Sequence, residues 1–174
     1  LLLSAFPLEA KLLKPSQDGG KKEILIINGK RRLYYPVQAE GIHYSVNGPT
    51  RLEFISRYPV LKKKNKSNPY SYRIIVDSQD TITVNHKYKV QKSIKSVQHP
   101  KHKYTYSGNY FINLSSGKHK VVILPEKKLK YPVLMRVLSK EFGSVTKEKK
   151  ILQPMVHQNS LKLQVGEDLV SYFE

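Results

Sequence analysis

Apolar and polar side chains alternate along much of this chain with a period of two, the spacing of strands whose successive side chains point to opposite faces. The clearest run is Ile82, Val84, His86, Tyr88 and Val90, with Thr83, Asn85, Lys87, Lys89 and Gln91 between them. Ile42, Tyr44 and Val46 stand against His43 and Ser45, and Leu52 and Phe54 against Arg51 and Glu53. Tyr72, Ile74 and Val76 alternate with Ser71, Arg73 and Asp77, broken only by Ile75. Tyr104, Tyr106, Tyr110, Ile112 and Leu114 repeat the pattern against Thr105, Ser107, Asn109 and Asn113. Each segment predicts one buried and one solvated face, as in antiparallel sheets with one wet side.

Turn signals divide these runs. Ile24-Leu25-Ile26-Ile27 ends at Asn28-Gly29, and the chain continues into residues 32–37. Asn-Gly accepts the positive φ of a tight hairpin turn, so residues 23–37 read as a hairpin. Asn47-Gly48-Pro49 and Ser115-Ser116-Gly117 predict further turns, the second leading into a strand over residues 119–124. Later strands are expected over residues 131–138, 151–157 and 161–165, with 131–142 equally open to a strand plus a short helical turn. No stretch carries a sustained 3.6-residue stripe. About ten strands in one domain predict an all-β fold, an antiparallel two-sheet β-sandwich over residues 23–174, with a closed barrel as the alternative.

Composition adds three constraints. The chain has 174 residues, enough for one domain with a real core. Its net charge is +18, from 31 basic and 13 acidic residues. An excess of this size attracts polyanions without specifying a fold. It is carried mostly by Lys, with Arg at 31, 32, 51, 57, 73 and 136, and a Lys excess suits diffuse attraction better than bidentate phosphate or base-edge recognition. Much of it collects in interruptions between strands. Residues 58–70 hold Lys62, Lys63, Lys64 and Lys66 between Pro59 and Pro69, residues 98–103 hold His99, Lys101, His102 and Lys103 around Pro100, and residues 145–150 hold Lys147, Lys149 and Lys150. These read as basic surface loops.

The absence of cysteine excludes disulfides, thiolate-held metals and thiol nucleophiles. Residues 1–10, LLLSAFPLEA, read as the end of a secretory signal peptide, and residues 11–22, with Pro15, Gly19, Gly20 and four Lys, as a linker. The expected location is therefore outside the cytoplasm: secreted, periplasmic or bound to a bacterial cell envelope. No apolar run reaches the length of a membrane-spanning helix.

Catalytic chemistry finds little support in the pattern. The close acidic pairs, Asp77 with Asp80 and Glu167 with Asp168, fall at turns, where Asp commonly serves local geometry. No Gly-x-Ser-x-Gly elbow accompanies the serines and histidines, and no glycine-rich phosphate loop occurs. His99 and His102 have the spacing of metal ligands but no carboxylate or third His near them in sequence. His86, in the apolar register of its strand, reads as a hydrogen-bonded structural residue. No catalytic residue, metal ligand or cofactor is assigned. The 12 Tyr and five Phe beside basic loops make a nucleic-acid groove the main rival, although Tyr72, Tyr88, Tyr104 and Tyr106 share the apolar register with core residues. A polysaccharide hydrolase or lyase on a β scaffold is the second alternative.

Arg32-Leu33-Tyr34-Tyr35-Pro36, Val46-Asn47-Gly48-Pro49-Thr50-Arg51-Leu52 and Ser56-Arg57, with the later Ser116-Gly117-Lys118-His119, resemble motifs of uncharacterised β-sandwich modules in exported bacterial envelope proteins. The resemblance covers residues 30–125. It implies a sandwich in an envelope-associated protein and no activity. The expectation is a non-enzymatic accessory domain that binds or scaffolds, with Lys62, Lys63, Lys64, Lys66, Lys101 and Lys103 as ligand-binding residues. Its expected partners are an anionic polysaccharide, lipid headgroups or another envelope protein, with nucleic acid ranked below them.

Overall fold

The computed structural model describes residues 10–61 and 67–141. Among them the chain forms strands and no helix: β1 (Lys11–Leu12), β2 (Glu23–Ile27), β3 (Lys30–Pro36), β4 (Ile42–Arg57), β5 (Pro59–Val60), β6 (Asn68–Val76), β7 (Asp80–Tyr88), β8 (Val90–Gln91), β9 (Lys95–Ser96), β10 (Lys103–Thr105), β11 (Gly108–Pro125) and β12 (Leu134–Glu141). All pairings are antiparallel. One nine-stranded sheet runs β7-β6-β11-β4-β12-β3-β2-β9 with β1 beside β12, and a three-stranded sheet runs β5-β10-β8. The all-β antiparallel class is as the alternation predicts. The two sheets are very unequal, nine strands against three, so the expected two-sheet sandwich of about ten strands is met only in its all-β, antiparallel character. The strands expected over 151–157 and 161–165, the basic loop 145–150, and the segment 1–9 lie outside the described residues.

The large sheet curls because it must cover its own apolar face. Tyr44, Leu52 and Phe54 of β4, Tyr72 and Ile74 of β6, Val121 and Ile123 of β11, and Met135 and Val137 of β12 form one buried cluster. No helix covers them among the described residues, and the small sheet has strands of only two or three residues. The sheet therefore wraps this face as a half-barrel. Each fully buried side chain of this size contributes roughly 1.5–3 kcal/mol through lost apolar exposure.

The bend is set by the two longest strands. Asn47-Gly48-Pro49 and Ser115-Ser116-Gly117 do not end strands as their composition predicts. They lie opposite one another within the β4–β11 pair, Gly48 facing Gly117, where the register shifts between Leu114 and Gly117. A Cβ on Gly48 would lie 1.7 Å from the Ser115 carbonyl oxygen, so only glycine lets the backbones meet there. The one extra β11 residue, Ser115 and Ser116 standing against Pro49, forms a bulge, and bulges sharpen twist and bend the strand. Four predicted strands are thus two bent ones. By contrast, Asn28 (φ 50°) and Gly29 (φ 73°) do turn the β2–β3 hairpin.

A second core lies on the opposite face. Tyr34 and Leu134 join Leu25, Ile94 and Tyr104, while their sequence neighbours Tyr35 and Met135 point into the main cluster. The sheet is buried on both faces at β3 and β12. The cover over this second face is tied down by Arg57, a buried guanidinium at the end of β4. Its Nη1 donates to the Thr105 carbonyl at 2.7 Å and to Gln91 Oε1 at 2.9 Å, and its Nε donates to the Tyr34 hydroxyl at 3.3 Å.

Part of the segment read as a linker is also bonded. Lys11 and Leu12 pair with Ser139 and Leu138, the Ser16 N–H donates to the His43 carbonyl, and the His43 N–H donates to the Gln17 carbonyl. The free edges of β12 and β4 offer backbone groups that this stretch satisfies. The polar interruption read over 58–70 is shorter than expected, since Pro59–Val60 and Asn68 onward are strand.

Candidate binding cleft

Pairing of β2 with β9 aligns Leu25 with Ser96 and Ile26 with Lys95. This register carries Glu23, at the start of β2, beneath the 98–103 loop that follows β9. Glu23 is only 5% exposed. Ser96 Oγ donates to its Oε1 at 2.8 Å, the Tyr104 hydroxyl donates to the same oxygen, and His99 Nδ1 lies 3.2 Å from it. The loop is shaped by its own bonds: the His99 N–H donates to Ser96 Oγ, and the His102 N–H donates to the His99 carbonyl. This turn stacks the two imidazoles, with ring centroids 4.8 Å apart and planes 10° from parallel. Among the described residues, no hydrogen bond reaches either ring nitrogen of His102. Burial, and then the neighbouring His99, hold the His102 pKa below its usual value. Burial and the bond to Glu23 push the Tyr104 phenol up, so it stays a donor.

The cluster opens into a cleft of about 630 Å³ lined by Lys21, Lys22, Glu23, Gln38, His99 and Tyr131, among others. Of the predicted ligand-binding residues, Lys101 is exposed on the loop and Lys103 is half-buried on β10, on either side of His102. Lys62, Lys63, Lys64 and Lys66 lie outside the described residues. Sequence reasoning found His99 and His102 as a spaced pair but missed Glu23, Ser96 and Tyr104. Glu23 reaches the loop through long-range strand pairing, and no local motif announces that.

The other histidines are engaged elsewhere. His86 is half-buried against Tyr70, Tyr72 and Tyr88, with Nε2 3.4 Å from the Tyr72 hydroxyl, and burial lowers its pKa. This agrees with a structural role. Asp77 sits in the β6–β7 turn at φ 53°. Its Oδ2 lies 2.7 Å from His119 Nδ1, and its Oδ1 accepts the Lys120 N–H at 2.8 Å. His119 Nε2 lies 3.0 Å from the Ser115 carbonyl. Both ring nitrogens thus face acceptors, an arrangement that favours the doubly protonated imidazolium. These bonds raise the pKa of His119 and lower that of Asp77. A cleft of about 610 Å³ lies over this pair, lined also by Ser78, Lys118 and Lys120. Tyr106, read as an apolar-register residue, is 51% exposed, one residue past the end of β10.

No protein family model matches this chain, and no curated protein matches it. Among solved structures, an exo-β-1,3-galactanase from Phanerochaete chrysosporium, determined with galactose, aligns with a TM-score of 0.40 at 12% identity, over 75% of this chain and 29% of its own. The chain spans less than a third of that protein, and a likeness this weak carries no conclusion about ligand or reaction.

Proposed function

We propose that this chain is a non-catalytic binding domain of an exported protein, and that it holds an acidic polysaccharide in the cleft beneath the 98–103 loop. The observation that supports this reading is the meeting of Lys21, Lys22, His99 and His102 on one cleft, whose lining carboxylate, Glu23, is already bonded. Ammonium and imidazole donors suit carboxylate or sulfate groups. Tyr131, with Lys130 Nζ 5.6 Å from its ring centroid, offers a half-exposed aromatic face, and Gln38 offers an amide for hydroxyls, while Gln98, whose Oε1 accepts the Ile24 N–H, keeps its amide NH2. Export, as residues 1–10 read, favours an envelope polymer over nucleic acid. Tyr72 and Tyr104 are fully buried and serve no stacking platform. The scaffold in this reading is a lopsided sandwich, with the small sheet and β9 standing for a second layer over Leu25, Tyr34 and Leu134.

The test is retention on polygalacturonate and heparin across a salt series. A Lys21→Glu/Lys22→Glu/Lys101→Glu variant should elute at distinctly lower salt than Lys87→Glu/Lys118→Glu/Lys120→Glu, which carries the same change of charge on exposed positions elsewhere. Equal elution of the two would return the charge to diffuse surface attraction and end the proposal.

A further inference from the structure

The geometry points to a divalent transition-metal site, zinc foremost, formed by Glu23, His99 and His102. One potential ligand atom from each residue lies within 4.8 Å of the other two. Zinc bonds of about 2.0–2.1 Å in tetrahedral geometry set ligand atoms about 3.3 Å apart, so the cluster must contract. The side chain that must move most freely is also the most exposed: His99 is 52% exposed, whereas Glu23 is 6%. Closing on an ion would require the two imidazoles to turn out of their stack so that one nitrogen of each meets the Glu23 carboxylate.

Three further features favour an ion here over a mere hydrogen-bonded staple. The carboxylate is oriented by Ser96 and Tyr104, which are outer partners of the kind that hold a metal-ligating carboxylate in place. Both ring nitrogens of His102 lack a hydrogen-bond partner among the described residues, although the ring is half-buried and touches Tyr104 and Tyr131. Two imidazoles and one carboxylate, with no thiolate in the chain, form a donor set that suits zinc, nickel or copper(II) over calcium or magnesium. Three protein ligands leave a coordination position, and the cleft supplies the space beside it. An ion bound there would add a fixed positive charge where the polymer reading already places Lys21 and Lys22. The metal inference does not depend on that reading, because its probe is the ion alone.

The full chain, stripped with a chelator, is titrated with zinc chloride by calorimetry and followed by histidine ring NMR. One equivalent should bind, shifting the ring signals of His99 and His102 and leaving those of His86 and His119 in place. His99→Ala and His102→Ala should each abolish stoichiometric uptake. Ser96→Ala, which removes an outer partner of the carboxylate together with the acceptor of the His99 N–H, should weaken it by at least about 10–100-fold. Because His99 lies on an exposed loop, its replacement leaves the core intact, and circular dichroism confirms that the variant is folded. Uptake that survives His99→Ala, or ring shifts confined to other histidines, would place the ion elsewhere and overturn the site. No uptake at all would leave Glu23, Ser96, His99 and Tyr104 as a structural staple only.

Discussion

Among the described residues, a carboxylate meets an imidazole in two places, and the two places differ in what remains free. At Asp77 the carboxylate is exposed, and it is His119 that is covered, with side chains 41% and 12% exposed respectively. Asp77 and the Ser115 carbonyl face both of its ring nitrogens. That arrangement is closed: it clamps the β6–β7 turn to the bulged part of β11, and no nitrogen is left to accept a proton or a ligand. At Glu23 the order is reversed. The carboxylate is buried and the imidazoles face the cleft, with His102 unbonded at both nitrogens among the described residues. The same two residue types therefore serve a structural end in one place and an open, ligand-shaped end in the other. Residue type alone does not separate these roles. Which partner is buried, and which ring nitrogens are occupied, does.

The sharpest way to break this comparison is to remove each carboxylate. Glu23→Ala leaves the buried Ser96 and Tyr104 hydroxyls without their acceptor, at about 1–3 kcal/mol for each stranded group. A loss of about 3 kcal/mol should appear in urea unfolding as a lower midpoint at unchanged slope. Asp77→Ala, at an exposed turn, should lower the midpoint far less. If the two losses are alike, burial does not distinguish the clusters. Tyr104→Phe should fall between them, at about 1.5 kcal/mol, because it removes one donor from a carboxylate that keeps Ser96 and His99.

The strands of this fold were legible because alternation reports burial directly. Val84 is buried between exposed Thr83 and Asn85, as their pattern requires. Legibility failed wherever a residue's role depends on a distant partner. Gly48 reads as a turn glycine, but it serves the approach of the Ser115 carbonyl from β11, and nothing within a few residues tells these uses apart. Tyr34-Tyr35 and Leu134-Met135 break alternation because the sheet is covered on both faces there, a property of packing and not of the strand. The cleft failed in the same way. His99 and His102 are visible as a pair beside Pro100, whereas Glu23 and Tyr104 join them only through β2–β9 pairing and the return of β10.

The smallest effects, and the most discriminating, are those of pH. His119 has its pKa raised above the usual 6.5, first by the Asp77 bond and then by the Ser115 carbonyl. A raised histidine favours the folded state fully below pH 6.5, and that contribution is lost as pH climbs through the folded value. Asp77 is lowered from 3.8, first by His119 and then by the Lys120 N–H. Its contribution is present above pH 3.8 and is lost as pH falls through the lowered value. The closed clamp is thus strongest between these limits. His102 behaves oppositely: its folded pKa lies below 6.5, so the unfolded chain binds the proton more readily, and stability rises with pH between the lowered value and 6.5. Histidine ring titration by NMR, assigned with His→Gln variants, should give a midpoint above 6.5 for His119 and below 6.5 for His102. Asp77→Asn should bring His119 back toward 6.5 and leave His102 where it was. A His119 that titrates at or below 6.5 would mean that one of its nitrogens is free after all. The clamp would then be open, and the contrast with the Glu23 cluster would be lost.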